Sequence, residues 1–230
     1  MRLRGLLRVA FSLLYNQLAW TYDLVSWTVS AGQWRNWQRS ALPFLPGRPV
    51  LEVAHGTGNL LLDLVSLGLE PIGLDLSPAM SRIAGRKLKR RLGSQTLPVP
   101  LVRGSAEALP FAGNSLSSVV STFPTEFIVQ SNVIAEFYRV LRPGGAFVCI
   151  PAAQITGPAV VDRWAAWLFR VTGQSALGWF APLLDRLSSA GFRARLEQVR
   201  QPRSRVMVIV AEKVAALDSQ RPPGYNSPVR

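Results

Sequence analysis

A length of 230 residues with 48% hydrophobic and 17% charged residues suits one α/β or β domain with a large core. One cysteine and one histidine exclude a disulfide framework, a cysteine-based zinc site and a multi-histidine metal site. The formal net charge of +13 indicates an anionic neighbour, either a membrane surface or a nucleic acid.

Composition divides the chain into three regions, residues 1–46, 47–213 and 214–230. The first is rich in Trp and Arg and has apolar residues at helical spacing, so we expect a helical segment outside the sheet. The third has little apolar content and is expected to be a disordered tail. Polar residues interrupt the weakly charged stretch around Asp23, so neither a membrane span nor a signal peptide is predicted, and we expect a cytoplasmic protein.

The middle region alternates short β-rich runs with helical patterns. Strands are predicted at residues 50–54, 71–76, 99–103, 116–122, 146–151, 192–199 and 205–213. Helices are predicted at residues 59–68, 78–92, 132–141, 159–172 and 179–190. Ser77 is the expected N-cap of the second helix, with Pro78 at its first position. This order predicts a mostly parallel seven-stranded sheet with helices on both faces and an antiparallel C-terminal edge strand.

A glycine turn between the first strand and the first helix is the most informative feature. Residues 51–58 are L-E-V-A-H-G-T-G, and Gly56 and Gly58 let the backbone approach a ligand closely. Asp75 stands 17 residues after Gly58, at the end of the second strand, where a carboxylate can bind both ribose hydroxyls of a nucleotide-like ligand. No G-K-[ST] sequence follows the turn, which disfavours nucleoside triphosphate chemistry. A dinucleotide and S-adenosylmethionine (SAM) remain as candidate ligands.

The dinucleotide motif G-x-G-x-x-G fits poorly, because Ala54 and Asn59 occupy two of its glycine positions. The stretch instead resembles the first motif, acid-x-G-x-G-x-G, of class I SAM-dependent methyltransferases. Residues 72–80 resemble the second-strand motif of that family, residues 104–111 its adenine-side loop, and residues 140–145 the segment before its fifth strand. The resemblance covers about residues 14–213 and implies a Rossmann-like fold with SAM as cofactor.

The N-terminal region resembles one branch of that family. Residues 15–23, Y-N-Q-L-A-W-T-Y-D, are similar to the Y-x-x-x-A-x-x-Y-D lid helix of the branch that includes the ubiquinone and menaquinone biosynthesis C-methyltransferases. In that branch the segment covers SAM and shapes the acceptor pocket, which implies lid roles for Tyr15, Tyr22 and Asp23. If the lid is separate from the sheet, deletion of residues 1–40 is expected to leave a folded domain.

The resemblance also implies which residues bind SAM. Glu52 would order the glycine turn and face the methionyl amine, and Asp75 would bind the ribose. The expected cofactor-binding set is Glu52, Ala54, His55, Gly56, Gly58, Asp75, Leu76, Ser105, Ala106 and Phe123. Three of these depart from the family pattern: Ala54 replaces the first glycine, His55 stands where Cys is frequent, and Ser105 stands where an Asp often binds adenine.

Two residues are candidates for proton transfer, and no metal site is predicted. Glu126 follows the fourth strand, where the donor methyl group and the acceptor should meet. The alternative is that Glu126 is an acid at a helix N-terminus, stabilised by the helix dipole. His55 could act as a general base if it reaches the acceptor; otherwise it packs on SAM.

Two clusters bear on the partner of the protein. Six cations lie within ten residues without an acid: Arg82, Arg86, Lys87, Lys89, Arg90 and Arg91. They form either a solvated helix face or a contact with anionic lipid or RNA. Four tryptophans are interleaved with arginines in the N-terminal region: Trp20, Trp27, Trp34 and Trp37 with Arg35 and Arg39. They indicate either core packing or an interfacial helix.

We therefore predict a SAM-dependent methyltransferase that acts on a small, lipophilic acceptor, quinone-like or lipid-like, with peripheral membrane association through the Arg/Trp segment. An RNA methyltransferase is one alternative, favoured by the charge. Residues 123–126, F-P-T-E, stand where an Asn-Pro acceptor motif would be expected and disfavour that alternative. A SAM-binding or membrane-surface module without catalysis is the other alternative.

Overall fold

A computed structural model describes residues 22–93, 98–159 and 180–214. Seven strands form one sheet in the order β3-β2-β1-β4-β5-β7-β6. The strands are β1 (Val50–Val53), β2 (Pro71–Asp75), β3 (Leu101–Arg103), β4 (Leu116–Thr122), β5 (Leu141–Ile155), β6 (Phe192–Gln201) and β7 (Ser204–Lys213). Tyr15, the predicted tail from residue 215 onward and nearly all of the predicted helix at 159–172 lie outside the described residues.

The helices are α1 (Tyr22–Val29), α2 (Trp34–Arg39), α3 (Asn59–Ser66), α4 (Pro78–Leu92), α5 (Ser131–Val140) and α6 (Phe180–Ser189) within the described ranges. Short 3-10 helices occur at Leu42–Phe44 and Glu126–Val129. The predicted cap of α4 is confirmed, because the Met80 N–H donates to the Ser77 hydroxyl oxygen at 3.3 Å. No helix within these ranges combines the length and hydropathy that crossing a membrane requires.

The strand directions confirm the predicted Rossmann-like α/β fold. Strands β1 to β5 pair in parallel, and helices α3, α4 and α5 lie in the connections from β1 to β2, from β2 to β3 and from β4 to β5. Strand β7 is antiparallel to both β5 and β6 and lies one place inside the edge, which β6 occupies. The carboxyl ends of β1, β2 and β4 therefore meet at one edge of the sheet, where a ligand of an open α/β sheet binds.

Strand β5 begins five residues earlier than the sequence predicts, at Leu141 instead of residue 146. Its pairing with β4 jumps from Leu116–Leu141 to Ser118–Ala146, so the intervening P-G-G segment forms a bulge. Gly144 supplies the left-handed backbone (φ 77°) in this bulge. Gly144 and Gly145, which precede the predicted strand, therefore lie inside the observed one.

The hydrophobic core has two layers, one on each face of the sheet. Alternate residues of β5 show this directly, since Phe147 and Cys149 pack into one layer and Val148 and Ile150 into the other. The first layer is covered by α5 and α6, and the second by α2, α3 and part of α4. Helices thus lie on both faces, as the sequence predicts.

The two N-terminal helices differ in burial. Trp37 of α2 is fully buried in the core layer that contains α3, and Ala41 just after it is also fully buried. In α1, by contrast, Leu24 is 63% exposed and Trp27 62% exposed. Residues of α2 thus contribute to the core of the sheet, and the boundary expected at residue 46 from composition stays a prediction.

Candidate functional site

The turn between β1 and α3 has three residues in the left-handed region: Ala54 (φ 58°), Gly56 (φ 55°) and Gly58 (φ 77°). At Gly58 a side chain is excluded, since an added Cβ would lie 2.9 Å from the Cβ of Ala84 on α4. At Gly56 an added Cβ would meet no heavy atom within 4 Å. The turn is therefore packed against α4 on the side of Gly58 and open on the side of Gly56, where a ligand can approach.

Ala54 has a left-handed backbone at the position where the family pattern has its first glycine. A left-handed conformation costs an L-residue about 1–2 kcal/mol. The Ala54 N–H donates to the Leu74 carbonyl at 2.8 Å, which holds the turn against β2. Alanine at this position therefore adds strain to the turn.

Asp75 connects the end of β2 to the glycine turn. One carboxylate oxygen accepts the Gly56 N–H at 2.9 Å, and the other accepts the Ser77 N–H at 2.8 Å. Each oxygen has a further lone pair that a ribose hydroxyl could use. The next side chain, Leu76, is 66% exposed and offers an apolar surface beside the carboxylate.

Glu52 lies on β1 below the turn and is 1% exposed. Burial, together with the nearby charges of Asp75 and Asp63, raises the pKa of Glu52 well above its ordinary value. Its Oε2 atom is buried and has no hydrogen-bond partner among the described residues. A buried orphan oxygen is costly unless a ligand donor satisfies it. An ammonium group at this turn, such as the methionyl amine of SAM, fits that requirement.

His55 belongs to the turn, and its side chain is almost completely buried. Its Nδ1 lies 2.9 Å from the Gly56 carbonyl oxygen and its Nε2 lies 3.5 Å from the Ser81 hydroxyl oxygen on α4. Burial lowers the pKa of His55, although the charge of Asp75 opposes this effect. These contacts favour a packing role; a general-base role stays a prediction.

The loop after β3 contains Ser105 and Ala106 and is held by α5. The Ser105 hydroxyl oxygen accepts the Glu107 N–H at 3.2 Å, and Ala106 is 7% exposed. Further along the loop, the Leu109 N–H donates to the Glu136 carboxylate at 2.7 Å, and Arg139 donates to the Leu109 carbonyl at 2.9 Å. No sequence pattern indicated this support, because Glu136 and Arg139 match no cofactor motif.

An aromatic pair lies at the end of β4. Phe123 has a left-handed backbone (φ 53°), and its ring stacks on Trp34 with centroids 4.2 Å apart and an interplanar angle of 27°. Such a conformation is uncommon for a bulky residue and persists only where its surroundings hold it. Gln38 lies nearby, and its Nε2 donates to the Thr122 hydroxyl oxygen at 3.0 Å. Glu126 is exposed three residues after Phe123, at the start of the 3-10 helix.

The Asp23 side chain reaches from α1 to the glycine turn. Its Oδ1 accepts the Thr57 hydroxyl at 2.6 Å and the Asn59 amide at 3.1 Å. Lys87 of α4 donates to its Oδ2 at 2.7 Å. Of the predicted lid residues, Tyr22 is the first residue of α1. Sequence reasoning missed Thr57, Asn59 and Lys87, although the first two flank Gly58.

Two arginines of α2 bind one acid of α3. Arg35 and Arg39 each donate to both oxygens of Asp63, at distances between 2.8 and 3.3 Å. Burial raises the pKa of Asp63, but the hydrogen bonds from Arg39 and Arg35 outweigh it and lower the pKa overall. The Trp and Arg residues of α2 therefore make inward contacts, which favours the core-packing alternative for α2; membrane association stays a prediction.

Comparison with known proteins supports the geometric reading. Residues 8–178 match the ubiE/COQ5 methyltransferase family. The demethylmenaquinone methyltransferase of Symbiobacterium thermophilum is 30% identical over 174 residues, which are 73% of this chain and 68% of that protein. The ubiquinone/menaquinone biosynthesis C-methyltransferase UbiE of Syntrophotalea carbinolica is 34% identical over 161 residues, 67% of this chain and 66% of that protein.

For a third relative, the demethylmenaquinone methyltransferase of Renibacterium salmoninarum, the match is 32% identical and spans 59% of this chain and 55% of that protein. The chain thus spans between about half and two thirds of these relatives. Among solved structures, geranyl diphosphate C-methyltransferase from Streptomyces coelicolor A3(2), in complex with S-adenosyl-L-homocysteine, has a TM-score of 0.56 at 12% identity and covers 77% of this chain and 78% of its own. That likeness concerns the fold.

Proposed function

The chain belongs to the ubiE/COQ5 methyltransferase family and is a SAM-dependent methyltransferase, and from this premise we propose that it methylates a small, lipophilic acceptor of the quinone type. The observation that carries the acceptor class is the stack of Phe123 on Trp34 at the end of β4. Trp34 is 8% exposed and Phe123 is partly buried, so the accessible part of the Phe123 ring is the apolar surface on which a planar acceptor could pack. The names of the relatives point to the same class.

For the cofactor, we propose that Glu52 holds the methionyl ammonium and that Asp75 holds the ribose hydroxyls. The adenine would lie between the exposed Leu76 and the Ser105–Ala106 backbone. Ala54, His55, Gly56, Gly58 and Phe123 would complete the wall of the site. Bound SAM supplies a methyl group that is already activated by its sulfonium, so the protein contributes mainly orientation and exclusion of water.

For the proton, we propose that Glu126 acts at the acceptor. Its carboxylate is exposed at the carboxyl edge of the sheet, on the same loop as Phe123. There it can accept a proton from an acceptor hydroxyl or carbon as the methyl group arrives. His55 is almost completely buried against Gly56 and Ser81, so Glu126 is the more accessible of the two candidates.

Methyl-labelled SAM tests the proposal directly. The protein is incubated with a short-chain demethylated naphthoquinol, with total RNA, and with no acceptor. Label in the quinol alone supports the proposal, and label in RNA alone would establish the RNA methyltransferase alternative. Binding of S-adenosylhomocysteine without label in either acceptor would favour a non-catalytic module.

The variant Glu126→Gln tests the proton-transfer role. It should lower kcat on the quinol about 10²–10⁴-fold, the range for loss of a general base, and leave cofactor binding unchanged.

Peripheral membrane docking is proposed through a different surface from the one expected. The apolar side chains Leu24 and Trp27 of α1 are exposed, and α1 is bound to α4 through Asp23 and Lys87. Arg90 and Arg91 lie three and four residues beyond Lys87, so helical geometry places them on the same side of α4. Cations next to exposed Trp and Leu side chains are typical of helices that bind membrane surfaces.

Vesicle sedimentation tests this docking. We expect binding to vesicles with anionic lipid and release as the salt concentration rises, because the Debye length falls from about 10 Å at 0.1 M to 3 Å at 1 M. The double variant Arg90→Ser/Arg91→Ser should bind less, whereas Arg35→Ser should not, since Arg35 faces Asp63. Equal binding to neutral vesicles would remove the electrostatic part of the proposal.

A further inference from the structure

Lys87 stands apart from the other cations of α4. Its ammonium has three N–H donors, and three acceptors surround it: Asp23 at 2.7 Å, Asn59 at 2.8 Å and Thr57 at 3.0 Å. Its side chain is 14% exposed. None of the ion pairs within the described residues involves the five neighbouring cations: Arg82, Arg86, Lys89, Arg90 and Arg91.

The three acceptors belong to two different parts of the molecule. Thr57 and Asn59 flank Gly58 in the glycine turn, which already packs on α4 through Ala84, one turn before Lys87. Asp23 lies in the first turn of α1, which is 64 residues away in the chain. Lys87 therefore joins the helix that lies outside the core to the turn that faces the cofactor.

The two halves of this junction differ in exposure. The Lys87 side chain is mostly buried beside the turn, whereas the Asp23 side chain is 44% exposed. Among the α1 side chains that the structure describes, Leu24 and Trp27 are exposed and add little apolar anchoring. When α1 moves, the contacts of Lys87 to Thr57 and Asn59 can persist while those of Asp23 are lost.

We propose that Lys87 is a positioning residue that latches α1 closed over the cofactor turn through Asp23. The inference deepens the proposed function and rests on it for the identity of the cofactor. In the closed state α1 is held at the turn and shields it from water; release of Asp23 alone opens the site for exchange of cofactor and acceptor. The latch acts through position, since the contacts of Lys87 are with the side chains of Asp23, Thr57 and Asn59.

Hydrogen exchange of α1 tests the latch without any acceptor. The amides of residues 22–29 are compared with those of residues 34–39 in the full chain, with and without S-adenosylhomocysteine. We expect Lys87→Met to speed exchange in residues 22–29 by about tenfold, the effect of losing hydrogen bonds to a charged group, and to leave residues 34–39 unchanged. Lys89→Met removes the same charge from the exposed face of α4 and should change neither segment.

Two further variants separate a latch from general support of the fold. Lys87→Arg keeps the charge and several donors, so it should restore most of the protection of α1. Asp23→Asn should speed exchange in α1 as Lys87→Met does. The double variant Asp23→Asn/Lys87→Met should exchange little faster than either single variant. Equal acceleration in both helices, or no acceleration in α1, would overturn the proposal.

Turnover supplies a second readout. Once an acceptor that the protein methylates is identified, Lys87→Met should lower kcat/KM for that acceptor about tenfold more than it weakens S-adenosylhomocysteine binding. The reason is that α1 would shape the acceptor side of the site. Equal losses in both would overturn the positioning role. If wild-type protein does not bind S-adenosylhomocysteine at all, the cofactor assignment fails, while the exchange result still decides whether Lys87 holds α1.

Discussion

Helices α1 and α2 are neighbours in the chain and both contain tryptophan, yet they are attached to the domain in opposite ways. Helix α2 inserts Trp37 into the core, where its indole N–H donates to the Ser204 hydroxyl oxygen at 2.8 Å. Helix α1 leaves Trp27 62% exposed and is tied down through the polar contacts of Asp23. A tryptophan beside charged residues therefore does not by itself indicate a lid, a core or a membrane contact.

The connection between the two helices suits a hinge. Ala31 (φ 50°) and Gly32 (φ 80°) are both left-handed, and the Gly32 N–H donates to the Trp27 carbonyl at 2.8 Å. An element held by one polar cluster opens at lower free energy than one whose aromatic side chains fill the core. We therefore propose that the movable lid ends near Gly32 and that α2 belongs to the SAM-binding domain.

Truncation at two points gives the largest contrast. Removal of residues 1–30 should leave a folded protein that binds S-adenosylhomocysteine and methylates its acceptor poorly. Removal of residues 1–40 should abolish cooperative folding, because it takes Trp34, Trp37 and the partners of Asp63 out of the core. This replaces the expectation that the shorter fragment folds. Thermal unfolding followed by circular dichroism checks both, and a cooperative transition in the shorter fragment would restore the boundary at residue 46.

Tryptophan substitutions give the next largest contrast. Trp37→Ala should lower the free energy of unfolding by about 3–5 kcal/mol, the range for loss of a buried aromatic side chain. Trp27→Ala should stay within about 0.5 kcal/mol of wild type, as for most surface substitutions. Urea unfolding measures both. If Trp27→Ala lowered the free energy of unfolding by several kcal/mol, α1 would be packed on the domain in solution, and the contrast between α1 and α2 would fail.

The fold was predictable because its signals are local. Alternating strand and helix patterns, the Ser77 cap and the glycine turn each depend on a few neighbouring residues, and the structure agrees with them. The burial of Trp37 and the junction at Lys87 were not predictable, because each depends on residues far away in the chain: Trp37 meets Ser204, and Lys87 meets Asp23. The orphan oxygen of Glu52 likewise emerges only when β1 is surrounded by other elements.

The affinity for the cofactor should depend little on either α1 or α2, and substitution of Asp75 tests this. Asp75→Ala should weaken S-adenosylhomocysteine binding by about 1–3 kcal/mol, because it removes hydrogen bonds to a charged group. It also frees the Gly56 N–H, so Asp75→Asn, which can still accept that N–H, should cost less. Calorimetric titration compares both variants with the truncation of residues 1–30. A larger loss from the truncation than from Asp75→Ala would place much of the affinity in the lid.

The smallest effect concerns two acids that anchor the two helices, Asp63 for α2 and Asp23 for α1. Both carboxyls have a lowered pKa, since burial raises it but hydrogen bonds from cations outweigh burial. A carboxyl with a lowered folded pKa stabilises the protein above its unfolded pKa of about 4, and this stabilisation is lost as the pH falls through the folded pKa. Both contributions should therefore be complete at pH 7.

Loss of the Asp63 charge should be seen in global stability, whereas loss of the Asp23 charge should be seen only in α1. Arg35 and Arg39 are 47% and 46% exposed, so solvent screens their pairing with Asp63. We expect Asp63→Asn to cost about 1 kcal/mol at pH 7, or about 2–4 °C in Tm. This difference from wild type should shrink as the pH falls below 4. Asp23→Asn should leave Tm unchanged at every pH, as should Glu70→Gln in the exposed pair with Arg48. If Asp23→Asn lowers Tm as much as Asp63→Asn does, α1 unfolds together with the core and cannot open independently of it.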